Sequence, residues 1–424
     1  MRIDRDVEFW DANFEAEVSF ESMVVDGATE FRHAEFGAEA IFKEMSARKS
    51  IEFDTAKFEA PANFYRLTVN GNANFWGTDF EDTATFEATH FYGYTEFNRG
   101  TRSDEDGCAH FRDDVTFQYS TFEKDVEFWC VTFEGTADFR NTVFRGTTEF
   151  HNAVFNSEAT FAEATHKEVY FEAVEAPNAQ INLSGNSLPQ GVISQPESSY
   201  TTYDLSEAYV GDVSLKPQDD PDLFKHFKFY RTDFNGFDFP DHRRALNNNW
   251  SIHYFGEERN PEEAPSELET TYLKAKNGAS EVSDTTAASE FFVRERVWQR
   301  KSYFEIITSA NSFRKKVYAG YKWATNWLYN LTCGYGEMPF RTVGFGALVI
   351  ILFAIVFSWT VDLPGEDTAL TYLTFSIQTF VALLIGSSPT NTDILVQFLT
   401  ASEAFIGGFA IALFVFTLTK AIQR

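Results

Sequence analysis

Phenylalanine recurs every eleven residues through the first part of this chain, and that period constrains the fold more than any other feature. A small or β-branched residue lies two positions before each Phe of the series, as Ala73 lies before Phe75. A fixed internal period marks a repeat architecture, in which stacked units bury a shared core. The first series comprises Phe9, Phe20, Phe31, Phe42, Phe53, Phe64, Phe75, Phe86, Phe97, Phe117, Phe128, Phe139, Phe150 and Phe161.

A second series follows the first at a distance of five residues, so the apolar positions alternate in steps of five and six. Neither an α-helix nor a simple strand has this spacing, whereas a solenoid that turns a corner every five or six residues does. Val25, Ala47 and Val69 are the small members of the second series and stand 22 residues apart. We therefore expect four-sided coils of 22 residues, with these small side chains in one column and His166 in an inward core position.

The pattern resembles the Phe-rich variant of the pentapeptide-repeat family, as in Ala73-Asn74-Phe75 followed by Phe80. The resemblance covers about 1–171 and implies a right-handed quadrilateral β-helix. Residues 98–110 interrupt the register with nine extra residues, which we interpret as a surface loop, either a contact site or a tolerated insertion. The stretch 175–202 looks irregular, after which the register returns, and the predicted β-helix domain spans 1–240.

Composition excludes several classes of function. The chain of 424 residues has a net charge of −28, which argues against nucleic-acid binding because that needs a basic surface. The same acidity fits a surface adapted to high salt. Cys108, Cys130 and Cys333 are far apart, and we expect neither a disulfide framework nor a metal site from them. No phosphate loop or nucleophile motif is found, so we predict no enzyme activity, no catalytic residues and no cofactor.

Residues 241–341 have helical rather than strand-like spacing and are predicted to form a helical connector. Within it, 312–331 mixes cations with Tyr and Trp, which is typical of an amphipathic helix lying on a membrane surface. The segment Thr332–Glu337 superficially resembles a potassium-channel filter. No spanning helix precedes it, so we expect a glycine turn that leads into the first span.

Residues 342–424 are predicted to be a membrane module. Two apolar spans, 342–361 and 401–419, are each long enough to cross ~30 Å of hydrocarbon as a helix. Between them, 369–393 is apolar but short and is broken by Gly386 and Pro389. This plan indicates a re-entrant pore loop, and the alternative is an ordinary two-helix anchor with an apolar outer loop.

The module resembles two-transmembrane-helix, potassium-channel-like ion channels over about 80 residues. That resemblance implies a homotetramer around a pathway for a monovalent ion. Leu384, Ile385 and Ser387 stand where that family has Gly, Tyr and Asp, so we expect an atypical filter that does not select potassium in the usual way. The candidate pore and filter residues are Thr379, Leu383, Leu384, Ile385, Gly386 and Ser387.

Three residues of the second span are further candidates. Glu403 is an ionisable group in an apolar segment, and it is either functional or high enough to meet water at the outer leaflet. Gly407 and Gly408 form either a gating hinge or a site of close helix packing.

The distribution of cations predicts the orientation of the chain. Residues 342–419 contain no Lys or Arg, whereas cations lie before the first span and after the second. The positive-inside rule then places both termini in the cytoplasm of a cell-membrane protein. We therefore expect a cytoplasmic acidic β-helix fused to a channel-like pore. The alternative is a membrane-anchored scaffold whose β-helix binds an unknown protein partner without ion conduction.

Overall fold

The computed structural model describes residues 1–98, 107–197, 199–246, 250–253, 255, 264–361, 368–386 and 393–422. It comprises two compact units, Met1–Ala288 and Ser289–Arg424. The boundary between them lies inside the stretch that was predicted to be a connector.

The first unit is a β-solenoid of about ten coils, whose strands form four parallel ladders named A to D. Ladder A contains Val7–Glu8, Thr29–Glu30, Ile51–Glu52, Ala73–Asn74, Thr95–Glu96 and Val126–Glu127. Ladder B contains Asn13–Phe14, Glu35–Phe36, Lys57–Phe58, Asp79–Phe80, His110–Phe111, Thr132–Phe133 and Val154–Phe155. Ladder C contains Val18–Ser19, Ala40–Ile41, Ala62–Asn63, Ala84–Thr85, Val115–Thr116, Ala137–Asp138, Ala159–Thr160, Gln180–Asn182, Thr202–Asp204 and Phe227–Lys228. Ladder D contains Arg2–Ile3, Val24–Val25, Ser46–Ala47, Thr68–Val69, His90–Phe91 and Thr121–Phe122.

Ladders A and D merge in the later coils, where single longer strands turn the corner between them. These strands are Val143–Glu149, Thr165–Glu172, Ser187–Ser194 and Tyr209–Lys216. In the early coils each residue pairs with the residue 22 positions later, as Ile51 pairs with Ala73. The predicted coil length of 22 residues and the four sides are therefore confirmed.

The interior of the solenoid consists of stacked aromatic rings. Phe75 stacks between Phe53 and Phe97, with ring centroids 5.2 and 4.9 Å apart. Thirteen of the fourteen Phe of the first series are buried. The exception is Phe9, which lies in the first coil and has no coil on its outer side. Along ladder D, Val25 pairs with Ala47 and Ala47 pairs with Val69. The predicted column of small residues is therefore confirmed.

The backbone turns one corner in every eleven residues through a left-handed conformation. The residues concerned have φ between 51° and 60° and are mostly not glycine, although a side chain disfavours this conformation. They are Asp11, Ser22, His33, Glu44, Thr55, Arg66, Gly77, Ala88, Tyr119, Cys130, Asn141, Asn152 and Glu163. Residue types as different as Asp, Thr, Arg and Tyr stand at these positions, so the sequence contains no single signal for them.

The insertion changes the pairing distance but not the register. Across it Thr95 pairs with Val126, 31 positions later, which is the 22 of a coil plus the nine predicted extra residues. Residues 99–106 of the expected surface loop lie outside the described part of the chain.

The expectation of no disulfide is wrong, because Cys108 is bonded to Cys130 in the next coil. The two cysteines are 22 residues apart and therefore meet on neighbouring coils.

The stretch 175–202 is not irregular in the structure, which corrects the prediction. Ile181 pairs with Ala159 on one side and with Tyr203 on the other, both at a distance of 22 residues. Leu183 and Ile193 stand where Phe161 and Phe171 stand one coil earlier, and both are fully buried. The backbone path therefore continues after the Phe signature has ended.

Helices follow the last coils of the first unit and form the described part of the second unit. After short 3₁₀ segments at Leu223–His226 and Pro240–His242, the first unit contains α1 (Arg243–Leu246) and α2 (Pro265–Glu281), and α3 (Thr285–Ser309) begins there and continues into the second unit. The second unit contains α4 (Phe313–Cys333), a 3₁₀ turn (Gly334–Gly336), α5 (Pro339–Thr360), α6 (Ala369–Ile385) and α7 (Ile394–Ile422).

Two helices, α5 and α7, are long and apolar enough to cross a membrane, with mean hydropathies of 2.4 and 2.0. Helix α6 is apolar but has only 17 residues. Helix α7 begins earlier than the predicted span because Asp393 accepts a hydrogen bond from the backbone N–H of Leu395 (2.9 Å) at the start of the helix.

Candidate functional site

Helix α6 lies between the two long apolar helices and ends at a glycine. Gly386 has φ 71°, a left-handed conformation that glycine adopts without steric cost, and its N–H bonds the carbonyl of Ala382 at 2.9 Å. This end of the helix is a well-formed C-terminus. The last turn of α6 therefore directs its free carbonyl groups, the negative end of the helix dipole, away from the helix.

The contacts of α6 show that it runs parallel to α7. Tyr372 packs in one cluster with Val396, near the start of α7. Further along both helices, Phe380 lies against Gly407 and Leu383 lies against Gly408. Residue numbers therefore rise together in the two helices.

Helix α6 runs antiparallel to α5. The rings of Phe375 and Phe357 have centroids 5.0 Å apart, whereas the later residue Phe380 reaches back to the level of Gly346. Between these contacts, Ser376 Oγ lies 2.8 Å from the carbonyl oxygen of Ile350. The chain thus passes along α5 in one direction and along both α6 and α7 in the other.

Two consecutive helices can be parallel only if the chain returns between them. The end of α6 lies at the level of Gly408, which is fourteen residues, or about 21 Å, along α7 from Ile394. Only eight positions separate Gly386 from Ile394 in sequence, and eight residues span at most about 29 Å. Helix α6 therefore ends about halfway along α7 rather than at its far end.

A buried acid joins α6 to α7. The side chain of Glu403 is fully buried, and its two carboxyl oxygens accept hydrogen bonds from the hydroxyl groups of Ser376 and Thr379. Ser376 and Thr379 are three residues apart on α6, so both face the same side of the helix. The alternative that Glu403 meets water at the outer leaflet is not what the structure shows. The cluster instead satisfies a polar group between apolar helices.

Gly407 lies at the closest approach of α6 and α7. A β-carbon at this position would be 2.1 Å from the carbonyl oxygen of Phe380, so no other residue fits without moving a helix. At Gly408 a β-carbon would be 2.4 Å from Leu383 Cδ2, which a side-chain rotation can relieve. Of the two readings of this pair, the structure favours close packing.

The other candidate residues divide into two groups. Thr379 is buried against Glu403, whereas Leu383, Leu384 and Ile385 are 63, 63 and 68% exposed at the end of α6. These three apolar side chains are therefore free to contact lipid or a further protein chain. Ser387 lies outside the described residues.

Sequence reasoning missed Ser376, the second hydroxyl partner of Glu403. The signal available was its spacing of three from Thr379 in an otherwise apolar helix, which places both on one face. Sequence reasoning also missed the ion pair between Lys420, near the end of α7, and the nearly buried Glu337 before α5. Within the described ranges, no three His, Cys, Asp or Glu side chains are grouped to hold a metal ion.

The segment that resembles a channel filter is a turn, as predicted. Gly334, Tyr335 and Gly336 all have positive φ and connect α4 to α5. The hydroxyl of Tyr335 donates to Asn326 Oδ1 at 2.8 Å, and burial raises the pKa of Tyr335. The turn is thus fixed inside the second unit.

Comparison with known proteins bears on the solenoid. Residues 131–175 match the family model for pentapeptide repeats (9 copies). No curated protein and no solved structure matches the chain. The family match agrees with the repeat over a small part of the chain, and the two apolar helices fall outside it.

Proposed function

We propose that the second unit forms an ion-conducting pore in a membrane, with α5 and α7 as spanning helices and α6 as a re-entrant pore helix. The observation that carries this proposal is the parallel course of α6 and α7. A chain that enters to half depth and returns can present backbone to a water-filled path, the one setting in which irregular backbone is tolerated at membrane depth. The carbonyl end of α6 lies at that depth and favours a cation.

The pore requires several copies of the chain. Two spans and one re-entrant helix cannot enclose a path, and closed symmetric rings are the common arrangement of identical subunits. We propose a homotetramer, since four equivalent loops build the filter in the channels that the module resembles. The exposed apolar side chains on α7, such as Phe398, Phe405 and Phe409, supply surface for lipid or neighbouring subunits.

The end of α6 supports an apolar constriction rather than a potassium filter. A potassium filter points successive backbone carbonyl groups inward, and glycine adopts the required conformations most easily. Leu384 and Ile385 both carry a β-carbon, which disfavours these conformations. Four copies of the exposed Leu383, Leu384 and Ile385 would ring the axis with apolar groups and gate by exclusion of water. We propose that such a pore does not discriminate potassium from sodium as a carbonyl filter does.

For the solenoid we propose the right-handed path that its repeat implies, and a cytoplasmic location. The absence of Lys and Arg from 342–419 supports that orientation. The Cys108–Cys130 disulfide points the other way, because disulfides are rare in a reducing cytoplasm. The cation distribution orients whole membrane proteins, whereas a single disulfide also occurs in redox-sensitive cytoplasmic proteins, and the cytoplasmic orientation is therefore the one proposed.

A membrane-anchored scaffold is the second candidate function. It is favoured by Leu384 and Ile385, which replace the residues that make a filter, and by the large regular surface of the solenoid, which suits a protein partner. In that case the second unit only anchors the chain.

Oligomeric state and conductance separate the two candidates. The full-length protein would be purified in mild detergent, its mass measured, and its subunits crosslinked in membranes before extraction. The pore proposal expects a tetramer by both methods and cation current after reconstitution into planar bilayers. A monodisperse monomer or dimer in detergent and in membranes would contradict the pore and leave the scaffold.

A further inference from the structure

A cavity of about 360 Å³ lies between α4 and the first turns of α5. Its volume is in the range of small-molecule binding sites. Trp327 and Leu331 of α4 line one side, and Phe345 and Leu348 of α5 line another. The cavity belongs entirely to the second unit and is distant in sequence from the Glu403 cluster.

The polar groups of the cavity are gathered at one end. Arg341 lies at the start of α5, and its Nη1 donates to Asn330 Oδ1 at 2.9 Å. Among the described residues, no other guanidinium nitrogen of Arg341 has a hydrogen-bonding partner, and the side chain is exposed. A guanidinium keeps its charge at every physiological pH and matches the geometry of a phosphate group.

The order of polar and apolar groups along α5 is that of a lipid. Arg341 stands in the first turn of α5, and Leu348 lies seven residues, or about 10 Å, further along the helix. Since α5 would begin at the membrane surface, a molecule in the cavity would have its charged end at the surface and its apolar part in the hydrocarbon. A soluble anion would contact only the charged region around Arg341 and not the apolar region around Leu348.

The surface of α4 around the cavity also has an apolar part beside basic residues. Phe313, Val317 and Tyr321 of α4 are 80, 56 and 65% exposed and lie on the face that also carries Leu331. Arg314 and Lys316 flank this apolar face on its two sides. Basic residues beside an apolar helix face attract anionic lipids.

We propose that this cavity binds one anionic phospholipid of the membrane leaflet at the start of α5. Arg341 binds the phosphate, with the amide of Asn330 holding the guanidinium in place. One acyl chain lies along Phe345 and Leu348. The inference rests on the membrane location of the second unit but not on ion conduction, so failure of the pore proposal would leave it standing.

Gly344 provides a direct test, because it forms part of the cavity wall. A β-carbon at Gly344 would meet no atom within 4 Å, so Gly344→Leu has room for its first side-chain carbon and adds bulk at the cavity wall. Gly320 in α4 is equally open and lies outside the cavity, which makes Gly320→Leu the matched control. Arg341→Gln removes the charge, and Arg341→Lys retains it.

The full-length protein in mild detergent would be titrated with dioleoylphosphatidylglycerol or dioleoylphosphatidylcholine, and bound lipid counted by native mass spectrometry. We expect one phosphatidylglycerol per chain, retained about tenfold better than phosphatidylcholine, as a charge-assisted bond gives. Gly344→Leu should lose the bound lipid and Gly320→Leu should keep it. Arg341→Gln should bind both lipids equally, and Arg341→Lys should keep most of the preference.

Three results would overturn the proposal. The first is equal retention of the two lipids by the unsubstituted protein. The second is retention of phosphatidylglycerol by Gly344→Leu. The third is displacement of the lipid by an excess of glycerol 3-phosphate, which would mean that a free phosphate suffices. If Gly344→Leu failed to fold, as its circular dichroism would show, the comparison of Arg341→Gln with Arg341→Lys would still decide.

Discussion

At the scale of single residues, the solenoid core depends on the same apolar contact repeated along each column. His166 is an exception, since it occupies an inward position and stacks on Phe144 with ring centroids 4.6 Å apart. Neither ring nitrogen of His166 has a partner in the described part of the chain. Burial lowers the pKa of His166 from 6.5 to about 3. The fold therefore holds this ring neutral, at the cost of two unsatisfied polar atoms.

We predict that His166→Phe stabilises the solenoid and reduces its sensitivity to acid. The unfolded chain binds a proton at His166 below about pH 6.5, whereas the folded chain does not until about pH 3. Stability is therefore lost as the pH falls through this window, by up to about 1.4 kcal/mol per pH unit. Urea unfolding of the compact unit 1–288 from pH 7 to pH 4 would measure the slope.

His110→Gln is the control for this prediction, because His110 lies on the outer side of ladder B. It should leave the pH dependence as it is. An equal acid slope in His166→Phe and in the unsubstituted unit would show that His166 is not held neutral in the core.

We also predict that Phe75→Asp prevents folding of the solenoid. Phe75 is fully buried between two stacked rings, and an unpaired charge there costs several kcal/mol. Phe75→Leu, which keeps the position apolar, should lower the melting temperature but leave a cooperative transition. Circular dichroism melting of 1–288 would compare the two. A melting curve for Phe75→Asp like that of the unsubstituted unit would contradict the assigned register.

At the scale of elements, the sequence predicted the parts of the fold that depend on side-chain periodicity. The 22-residue coil, the column of small residues at Val25, Ala47 and Val69, and the resumption of register after residues 98–110 all follow from the spacing of Phe. The corner residues with positive φ could not be predicted, because they lie outside the core and residue types as different as Asp, Arg, Ala and Tyr occupy them. The strands in 175–202 were missed because Ile and Leu replace Phe there.

In the membrane module, the positions of the helices could be predicted from the sequence, but their contacts and relative directions could not. Hydropathy located α5, α6 and α7, and the position of Gly386 located the end of α6. The direction of α6 relative to α7 depends on contacts between helices, as between Phe380 and Gly407, which leave no periodic pattern. The bond from Ser376 to Glu403 likewise joins two segments that are distant in sequence.

We predict that Gly407→Ala separates α6 from α7. The added methyl group would lie 2.1 Å from the carbonyl oxygen of Phe380, and overpacking of this kind costs about 1–3 kcal/mol. Gly320→Ala is the matched control, since its methyl group meets no atom and alanine favours a helix by about 0.5–1 kcal/mol. Thermal melting of the full-length protein in detergent should show a loss for Gly407→Ala only. Similar melting temperatures for the two variants would contradict the close approach.

At the scale of the whole molecule, the orientation of the solenoid is the main prediction. The cation distribution favours the cytoplasm and the Cys108–Cys130 disulfide favours an oxidising compartment, so the two signals disagree. We predict that protease added outside intact cells leaves 1–330 undigested. The same protease added after permeabilisation should digest it, which serves as the control. Digestion in intact cells would place the solenoid outside and would agree with the disulfide.

The pore itself is tested most directly by bilayer recordings of the unsubstituted protein, of Leu384→Gly and of Leu370→Gly. Leu384 and Leu370 are both exposed on α6, but they lie at its two ends, so the third protein controls for the loss of a leucine from this helix. With potassium on one side and sodium on the other, we expect cation current that Leu384→Gly increases and Leu370→Gly does not, with no strong preference for potassium. Absence of current from all three proteins would contradict the pore.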